Sequence, residues 1–217
     1  MKPSPLHSHL YRHISLFLFW CCIGLQPVLG QDERPVILAI GESTTAGYGL
    51  PSDQSYPAQL QALLDDAGYH YRVVNHGRSG STVDMALSNL TRGMLLQPEI
   101  VLIAIGGNDR SNSRASGRTE ASLRKLVFLF AEMGAAVFIA DRTPASDGGS
   151  VEQNSLYARI ALEEDAFLMP SLRQDIAGNP ELLISDMRHP NQAGYAIIAQ
   201  RIFKLLEPVL QAKDAVQ

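Results

Sequence analysis

Ser43 is the first residue of this chain whose type and setting suggest chemistry. It follows an apolar run that ends at Ile40, and it lies among glycines in the stretch ILAIGESTTAGYG (37–49). A serine hydroxyl is a weak nucleophile until a neighbouring base removes its proton, and histidine is the usual base because its pKa lies near neutral pH. A base for Ser43 must therefore come from one of the six histidines.

Three of these histidines lie in the first thirty residues, which are interpreted below as a removable leader: His7, His9 and His13. His70 precedes a predicted strand and so belongs at the amino edge of the sheet, away from Ser43. Of the other two, His76 and His189, the second has a carboxylate, Asp186, three residues before it. Such a carboxylate can fix the tautomer of the imidazole and stabilise the imidazolium. The D-x-x-H pattern also suits a helix cap, so alone it only makes Asp186 and His189 candidates.

Two further segments offer hydrogen-bond donors. A reaction that passes through a tetrahedral oxyanion needs donors aimed at that oxygen. Gly80 in NHGRSGS (75–81) can present a bare backbone N–H, and Asn108 in GGND (106–109) carries a side-chain amide. Taken singly, both segments are ordinary turn sequences.

Short apolar runs alternate with segments of helical spacing along the chain. The predicted strands are 35–40, 71–75, 99–109, 135–141 and 167–170, and the predicted helices are 56–68, 82–96, 119–134, 151–166 and 191–210. This alternation is typical of a parallel sheet covered on both faces. It predicts an α/β fold, a three-layer α/β/α sandwich with a parallel, flavodoxin-like five-stranded sheet. Ser43 and Gly80 follow predicted strands, and Asn108 lies at the end of the strand predicted at 99–109, so all three belong to the carboxyl edge, where such folds bind ligands.

The first thirty residues differ from the rest of the chain. Residues 14–25 (ISLFLFWCCIGL) form an apolar run of twelve, and Val28-Leu29-Gly30 offers small or apolar residues before Gln31. This arrangement predicts a secretory signal peptide at 1–30, cleaved after Gly30, and a single domain at 31–217. The protein is then exported, either periplasmic or secreted. A membrane anchor, which needs about 20 apolar residues, and lipid attachment at Cys21 are the alternatives.

Removal of the leader changes the charge and the thiol content. It takes away two of the 18 basic residues and none of the 22 acidic ones, which leaves a formal charge of −6. No electrostatic footprint for nucleic acid is therefore expected. Both cysteines, Cys21 and Cys22, are lost as well, which excludes a disulfide, a thiolate nucleophile and a cysteine metal site. We predict a monomer with no metal, no cofactor and no membrane anchor after cleavage.

Together the polar segments resemble the SGNH (GDSL) hydrolase superfamily. Its blocks are matched in order by GESTTAGYGL (41–50), NHGRSGST (75–82), IGGNDR (105–110) and DMRHPN (186–191), and the resemblance spans roughly 37–210. The sequence is most similar to the periplasmic thioesterase, lysophospholipase and arylesterase group. The resemblance implies Ser43 as nucleophile with Asp186 and His189 as its triad partners. It also implies an oxyanion hole made of the N–H groups of Ser43 and Gly80 and the amide of Asn108.

Two residues of the first block depart from the family pattern. Glu42 stands where the family usually has Asp, and Thr44 stands where it often has Leu. The family Asp is thought to organise the turn by accepting backbone hydrogen bonds. Glutamate is one methylene longer and can still do so, and the fine geometry of the turn is what the change affects.

The function expected from this resemblance is hydrolysis of carboxylic esters or thioesters with short to medium acyl chains, through an acyl-enzyme. The substrate would be a small-molecule or lipid ester, held in an exposed groove walled by Tyr48, the 110–118 loop and the 143–150 loop. Thr143 and Pro144 are the predicted substrate contacts in the last of these. Two alternatives remain: an O-acetylesterase or acetyltransferase acting on polysaccharide or peptidoglycan, and a non-catalytic periplasmic binding module. The P-loop and the G-x-S-x-G elbow are both missing.

Overall fold

The computed structural model describes residues 32–109, 116–142, 147 and 155–215. Five strands form its sheet: β1 (Val36–Gly41), β2 (Arg72–Gly77), β3 (Ile100–Ala104), β4 (Ala136–Ala140) and β5 (Phe167–Met169). Every strand pair is parallel, and the order across the sheet is β2-β1-β3-β4-β5. This is the order of a flavodoxin-like doubly wound sheet. The predicted α/β class and topology are confirmed.

The central strands are apolar on both faces because helices cover the sheet on both sides. β1 and β3 are buried at every position. Successive side chains of a strand point to opposite faces, so Ile37 and Ala39 of β1 pack into one core cluster, and Leu38 and Ile40 pack into the other.

Seven helices of the described segments connect or flank these strands. They are α1 (Ser43–Ala46), α2 (Tyr56–Asp66), α3 (Val83–Ser88), α4 (Thr91–Met94), α5 (Ser116–Ala131), α6 (Leu156–Glu163) and α7 (Gln192–Asp214). Short 3-10 turns occur at Ser52–Gln54 and Pro180–Leu182. Buried side chains of α2 and α7 join the core cluster of Ile37, whereas those of α5 and α6 join the cluster of Leu38.

The structure differs from the predicted elements at several boundaries. The helix predicted at 82–96 is two short helices, α3 and α4, separated at Asn89. The Asn89 side-chain amide donates to the carbonyl oxygen of Met85, and so competes for a helix acceptor. The strand predicted at 99–109 ends at Ala104, because Gly106 turns the backbone with a φ of +118°. The predicted leader, 1–30, lies outside the described residues, as do 151–154 of the predicted helix 151–166.

None of the helices within the described ranges is both long enough and apolar enough to cross a membrane.

The end of β2 approaches α1 so closely that only glycine fits there. A Cβ atom added to Gly77 would lie 2.6 Å from the carbonyl carbon of Thr45, and it would also collide with the backbone nitrogen of Ala46. Both atoms belong to the backbone of α1, which cannot give way as the tip of a flexible side chain can. Gly77 therefore permits the helix that begins with Ser43 to lie against the neighbouring strand.

We predict that Gly77→Ala lowers the free energy of unfolding by about 1–3 kcal/mol, the usual cost of overpacking a closely packed site. Gly117→Ala is the matched control, because Gly117 is an exposed glycine of α5 with no heavy atom within 4 Å of an added Cβ. The control should stay within about 1 kcal/mol of wild type. Urea denaturation of both variants measures the difference, and equal stability of Gly77→Ala and wild type would contradict the close approach.

Candidate active site

Three of the predicted residues form a continuous chain of polar contacts. The Nε2 atom of His189 lies 2.8 Å from Oγ of Ser43, and its Nδ1 atom lies 2.6 Å from Oδ2 of Asp186. Ser43 is half-buried, His189 is buried and Asp186 is exposed. The two ring nitrogens are thus divided between a hydroxyl and a carboxylate, which is the arrangement of a nucleophile, a base and an orienting acid.

The position of Ser43 is set by the junction of β1 and α1. The helix begins at Ser43, one residue after Glu42 and two after the end of the strand. The first N–H groups of a helix have no partner within it, so the N–H of Ser43 points out of α1. Gly47, in the left-handed conformation, ends the helix and donates its N–H to the carbonyl of Ser43. Four residues of helix are therefore enough to fix the serine at the sheet edge.

A short hydrogen-bonded turn holds His189. Leu183 and Pro190 form an antiparallel bridge, and the N–H of Ile184 donates to the carbonyl of His189 at 2.9 Å. Oδ1 of Asp186 accepts the backbone N–H groups of Arg188 and His189, each at 2.9 Å. One carboxylate oxygen thus shapes the turn, while the other contacts the imidazole.

The hydrogen bonds that Asp186 receives also fix its charge. The ring of His189, followed by the backbone N–H of the same residue, lowers the pKa of this carboxyl to about 2. A lowered pKa means that the folded protein favours the ionised form, and that protonation follows only as the pH falls toward that value. Asp186 is therefore a carboxylate at every pH at which a histidine base can work.

Tyr48 packs directly against the imidazole. The ring centroids of Tyr48 and His189 are 4.5 Å apart, with an interplanar angle of 42°, and Tyr48 is 49% exposed. Its neighbour Gly49 lies so close to the turn of His189 that an added Cβ would be 2.5 Å from Cδ1 of Ile184. Tyr48 was predicted as a wall of the substrate groove, and the structure adds a contact with the base that the sequence did not reveal.

The two predicted donor segments lie next to each other. Nδ2 of Asn108 donates to the carbonyl of Ser81 at 2.9 Å, which joins the turn after β3 to the turn after β2. Gly80 is exposed and has a φ of +77°, a conformation that favours glycine. The N–H of Ser81 donates to the carbonyl of Arg78 and closes the turn around Gly80. Both donor segments thus lie at the carboxyl edge of the sheet, as the sequence predicts.

Glu42 connects the nucleophile turn to the turn that carries Asn108. Its carboxylate accepts the N–H of Gly107 at 3.0 Å and the N–H of Asn108 at 3.1 Å. The guanidinium of Arg142 lies 2.6 Å from the same carboxylate, and the side chains of Arg142 and Glu42 are only 8% and 4% exposed. Glutamate in place of the family Asp therefore still accepts backbone hydrogen bonds, and here it does so within a buried ion pair.

Two residues of this arrangement were missed by the sequence analysis. Arg142 was given no role, although a charged residue directly after a buried strand is a signal for a buried partner. Asp109 was quoted in GGND without a role. Its carboxylate accepts the N–H of Val83 and the hydroxyl of Thr119. Burial raises the pKa of Asp109 above its usual value. Asp109 thus ties the Asn108 turn to the start of α3.

The other predicted positions fall elsewhere. His76 lies in β2, beside Ile40 of β1, and no hydrogen bond joins it to Ser43 within the described part of the chain. Thr143 and Pro144 lie outside the described residues. Across those ranges, no group of three or more histidine, cysteine, aspartate or glutamate side chains is arranged to hold a metal ion.

Comparison with known proteins points to one family. The model of the GDSL-like lipase/acylhydrolase family matches residues 39–197. Esterase TesA of Pseudomonas aeruginosa is 28% identical over 193 residues, covering 87% of this chain and 96% of the relative. Thioesterase 1/protease 1/lysophospholipase L1 of Escherichia coli K12 is 29% identical over 207 residues, covering 94% and 96%. A crystal structure of TesA superposes with a TM-score of 0.70 at 27% identity, covering 80% of this chain and 98% of that one.

The geometry predicts one unusually reactive serine. A fluorophosphonate probe should label Ser43 and no other serine, because only Ser43 has a histidine ring nitrogen 2.8 Å from its hydroxyl in the described residues. His189→Ala should slow the labelling by at least about 100-fold, the lower end of what a positioned base contributes. His70→Ala is the matched control and should label at the wild-type rate. Intact-protein and peptide mass spectrometry give the rate and the site, and equal labelling of several serines would contradict the assignment.

Proposed function

Since this chain belongs to the GDSL-like lipase/acylhydrolase family and is an ester-hydrolysing serine hydrolase, we propose that it cleaves esters and thioesters of short to medium acyl chains through a covalent acyl-enzyme. One observation carries the proposal. The contact of 2.8 Å between Ser43 and His189 continues to Asp186 at 2.6 Å. A hydroxyl, an imidazole and a carboxylate in this order can generate a nucleophile at neutral pH.

The first half of the reaction forms the acyl-enzyme. Oγ of Ser43 attacks the carbonyl carbon of the ester while Nε2 of His189 takes the hydroxyl proton. The carbonyl oxygen becomes an oxyanion, which accepts hydrogen bonds from the N–H groups of Ser43 and Gly80 and from the amide of Asn108. The tetrahedral intermediate then collapses, the bond to the leaving oxygen or sulfur breaks, and the imidazolium returns its proton to that atom.

The second half releases the acid. A water molecule takes the place of the alcohol or thiol, loses a proton to His189 and attacks the acyl carbon. The second tetrahedral intermediate collapses as His189 gives this proton back to Oγ of Ser43. Asp186 keeps Nδ1 of the ring protonated throughout, and its low pKa supports a carboxylate that stabilises the imidazolium without taking its proton.

The preference for short to medium acyl chains is proposed from the character of the groove. Tyr48 is a half-exposed aromatic wall beside the base. The segments proposed as the other walls are 110–118, whose last three residues begin α5, and 143–150. They consist mostly of Ser, Gly and charged residues and offer little apolar area. Thr143 and Pro144 are the proposed substrate contacts there. Thioesters are included because a thiol is a better leaving group than an alcohol, and because the Escherichia coli relative is named a thioesterase.

Export is proposed for the same chain. The support is the leader of the sequence, in which an apolar run of twelve residues, 14–25, follows the basic residues Lys2 and Arg12. Cleavage after Gly30 would leave a periplasmic or secreted enzyme without cysteine. The N-terminal sequence of the protein recovered from the host cell envelope or medium tests this proposal.

We predict that Asn108→Ala lowers kcat by roughly 10²–10³ with a smaller change in KM, as expected when one preorganised oxyanion donor is removed. Asn179→Ala is the matched control, because the side chain of Asn179 accepts the N–H of Glu181 at the start of a 3-10 turn and contacts no residue of the site in the described ranges. The control should keep kcat within about twofold of wild type. Steady-state kinetics with 4-nitrophenyl butyrate measure kcat and KM for both variants. A change confined to KM would contradict the oxyanion role and would make Asn108 a group that binds the ground state of the substrate.

Acyl-chain preference tests the substrate class. Each buried methylene is worth about 0.8 kcal/mol, so a hydrophobic tunnel would make kcat/KM rise steeply with chain length. A shallow polar groove should give a plateau or an optimum at short to medium chains, and no jump in rate where micelles form. The dependence of kcat/KM on chain length is measured with nitrophenyl esters from acetate to palmitate and with a matched acyl thioester. A steady rise to palmitate would overturn the proposal, and activity on acetate alone would favour the O-acetylesterase alternative.

A further inference from the structure

A cavity of about 380 Å³ lies on the β2 side of Ser43, beside the turn that carries Gly80. Three basic side chains line it: those of His76, Arg78 and Arg92. We propose that this cavity is a subsite for a phosphate or carboxylate group carried by the alcohol or thiol part of the substrate. This inference rests on the proposed function and names the substrate class more closely, as esters with an anionic leaving group.

The charge of the cavity favours an anionic ligand. The lining holds three basic residues and no carboxylate among the described residues. The acidic residues nearby are engaged elsewhere: Glu42 and Asp109 have the partners given above, and Asp84 accepts the hydroxyl of Ser122 on α5. In the described part of the chain, neither guanidinium of the cavity has an ion-pair partner. The cavity is thus lined by basic residues although the chain as a whole has a formal charge of −4. A cavity lined in this way raises the local concentration of anions.

Hydrogen bonds fix the walls of the cavity. The two amides in its lining are used to fix its walls. Asn75 donates to the carbonyl of Thr45 and accepts the N–H of Gly77, and Asn89 donates to the carbonyl of Met85. The guanidinium and imidazole groups are thereby left as the donors for a ligand. Planar guanidinium groups match phosphate and carboxylate oxygens in a bidentate geometry.

The apolar part of the lining suggests what the anion is attached to. Ile40, Met85 and Ala86 also line the cavity, and Met85 is 38% exposed. A free inorganic ion would gain nothing from these side chains, whereas an anion attached to a hydrocarbon or an aromatic ring would bury apolar surface against them. The mixed lining therefore favours an organic anion over a free one.

The cavity lies close to the nucleophile. Gly41 lines the cavity and is two residues from Ser43, and Arg78 is two residues from Gly80. Two peptide units span at most about 7 Å, so one molecule can reach both the serine and the cavity. The N–H of Arg78 donates to the carbonyl of Gly41, which fixes the two segments together. Because β2 lies on one side of β1 and β3 on the other, an acyl chain directed toward the loops after β3 and β4 leaves the alcohol part over β2.

A pair of matched substrates tests the subsite. 4-(Butyryloxy)phenyl phosphate carries a phosphate on its leaving group, and 4-methoxyphenyl butyrate is its neutral counterpart. We expect the ratio of their kcat/KM values to fall about tenfold in Arg78→Gln/Arg92→Gln, as loss of charge-assisted hydrogen bonds implies. Arg159→Gln is the charge-matched control, because the side chain of Arg159 on α6 is 48% exposed and does not line the cavity. An unchanged ratio in the double variant, with both esters still hydrolysed, would overturn the subsite and leave the esterase assignment intact.

A binding measurement separates the subsite from catalysis altogether. Phenyl phosphate and inorganic phosphate are titrated calorimetrically into the Ser43→Ala variant, with and without the two arginine substitutions. We expect phenyl phosphate to bind more tightly than inorganic phosphate, and to lose at least about tenfold in affinity in the arginine variants. Equal binding of the two phosphates would assign the cavity to the free ion and overturn the substrate role. If wild type hydrolysed neither ester while phenyl phosphate still bound through the arginines, the proposed function and the leaving-group role would both fail, and the cavity would be a binding site for organic anions alone.

The orientation is tested with an anion on the other side of the ester bond. 4-Nitrophenyl hemiglutarate carries its carboxylate on the acyl chain, so its hydrolysis relative to 4-nitrophenyl butyrate should be insensitive to the two arginine substitutions. Sensitivity of this substrate pair, with no effect on the phosphate pair, would place the acyl chain over β2 and overturn the assignment to the leaving group.

Discussion

The buried carboxylate of Glu42 is the interaction on which the geometry of the site depends. It joins the turn of the nucleophile to the backbone of Gly107 and Asn108, and its charge is balanced by Arg142. A carboxylate this deeply buried is tolerable only with a partner, and removal of one partner typically costs about 3–5 kcal/mol. Gly107 has no side chain because a Cβ there would lie 2.6 Å from Oε1 of Glu42. The distance between the serine and the Asn108 turn is therefore set by an ion pair rather than by apolar packing.

The two halves of the site are stabilised by different means. The nucleophile and the donor turns belong to the sheet edge, where buried strands and the ion pair of Glu42 restrict movement. The base belongs to an exposed turn that is held by its own backbone hydrogen bonds and by the ring of Tyr48. Each half has hydrogen bonds of its own, and Tyr48 of the nucleophile segment also packs against the ring of His189. The hydrogen bond between Ser43 and His189 therefore joins two parts that other contacts already order.

The sequence was informative where the signal is local or periodic. The five strands and their parallel order follow from apolar runs alternating with helical segments, and Asp186 precedes His189 by three residues, so both could be predicted. What could not be predicted depends on distant residues or on side-chain competition with the backbone. Arg142 is separated from its partner by 100 residues, and the predicted helix 82–96 divides because one side-chain amide at Asn89 takes a backbone acceptor.

The closeness of Asp186 and His189 in sequence has a consequence for how the site assembles. A triad drawn from three distant segments requires the fold to satisfy two tertiary distances at once. Here the acid and the base lie in one turn of four residues that carries its own hydrogen bonds. Folding must therefore establish only one tertiary distance, the one between His189 and Ser43. Asp186 and His189 therefore form one preorganised turn. A chain can change most of the segments between strands without disturbing the acid–base geometry, provided that this one turn still meets the end of β1.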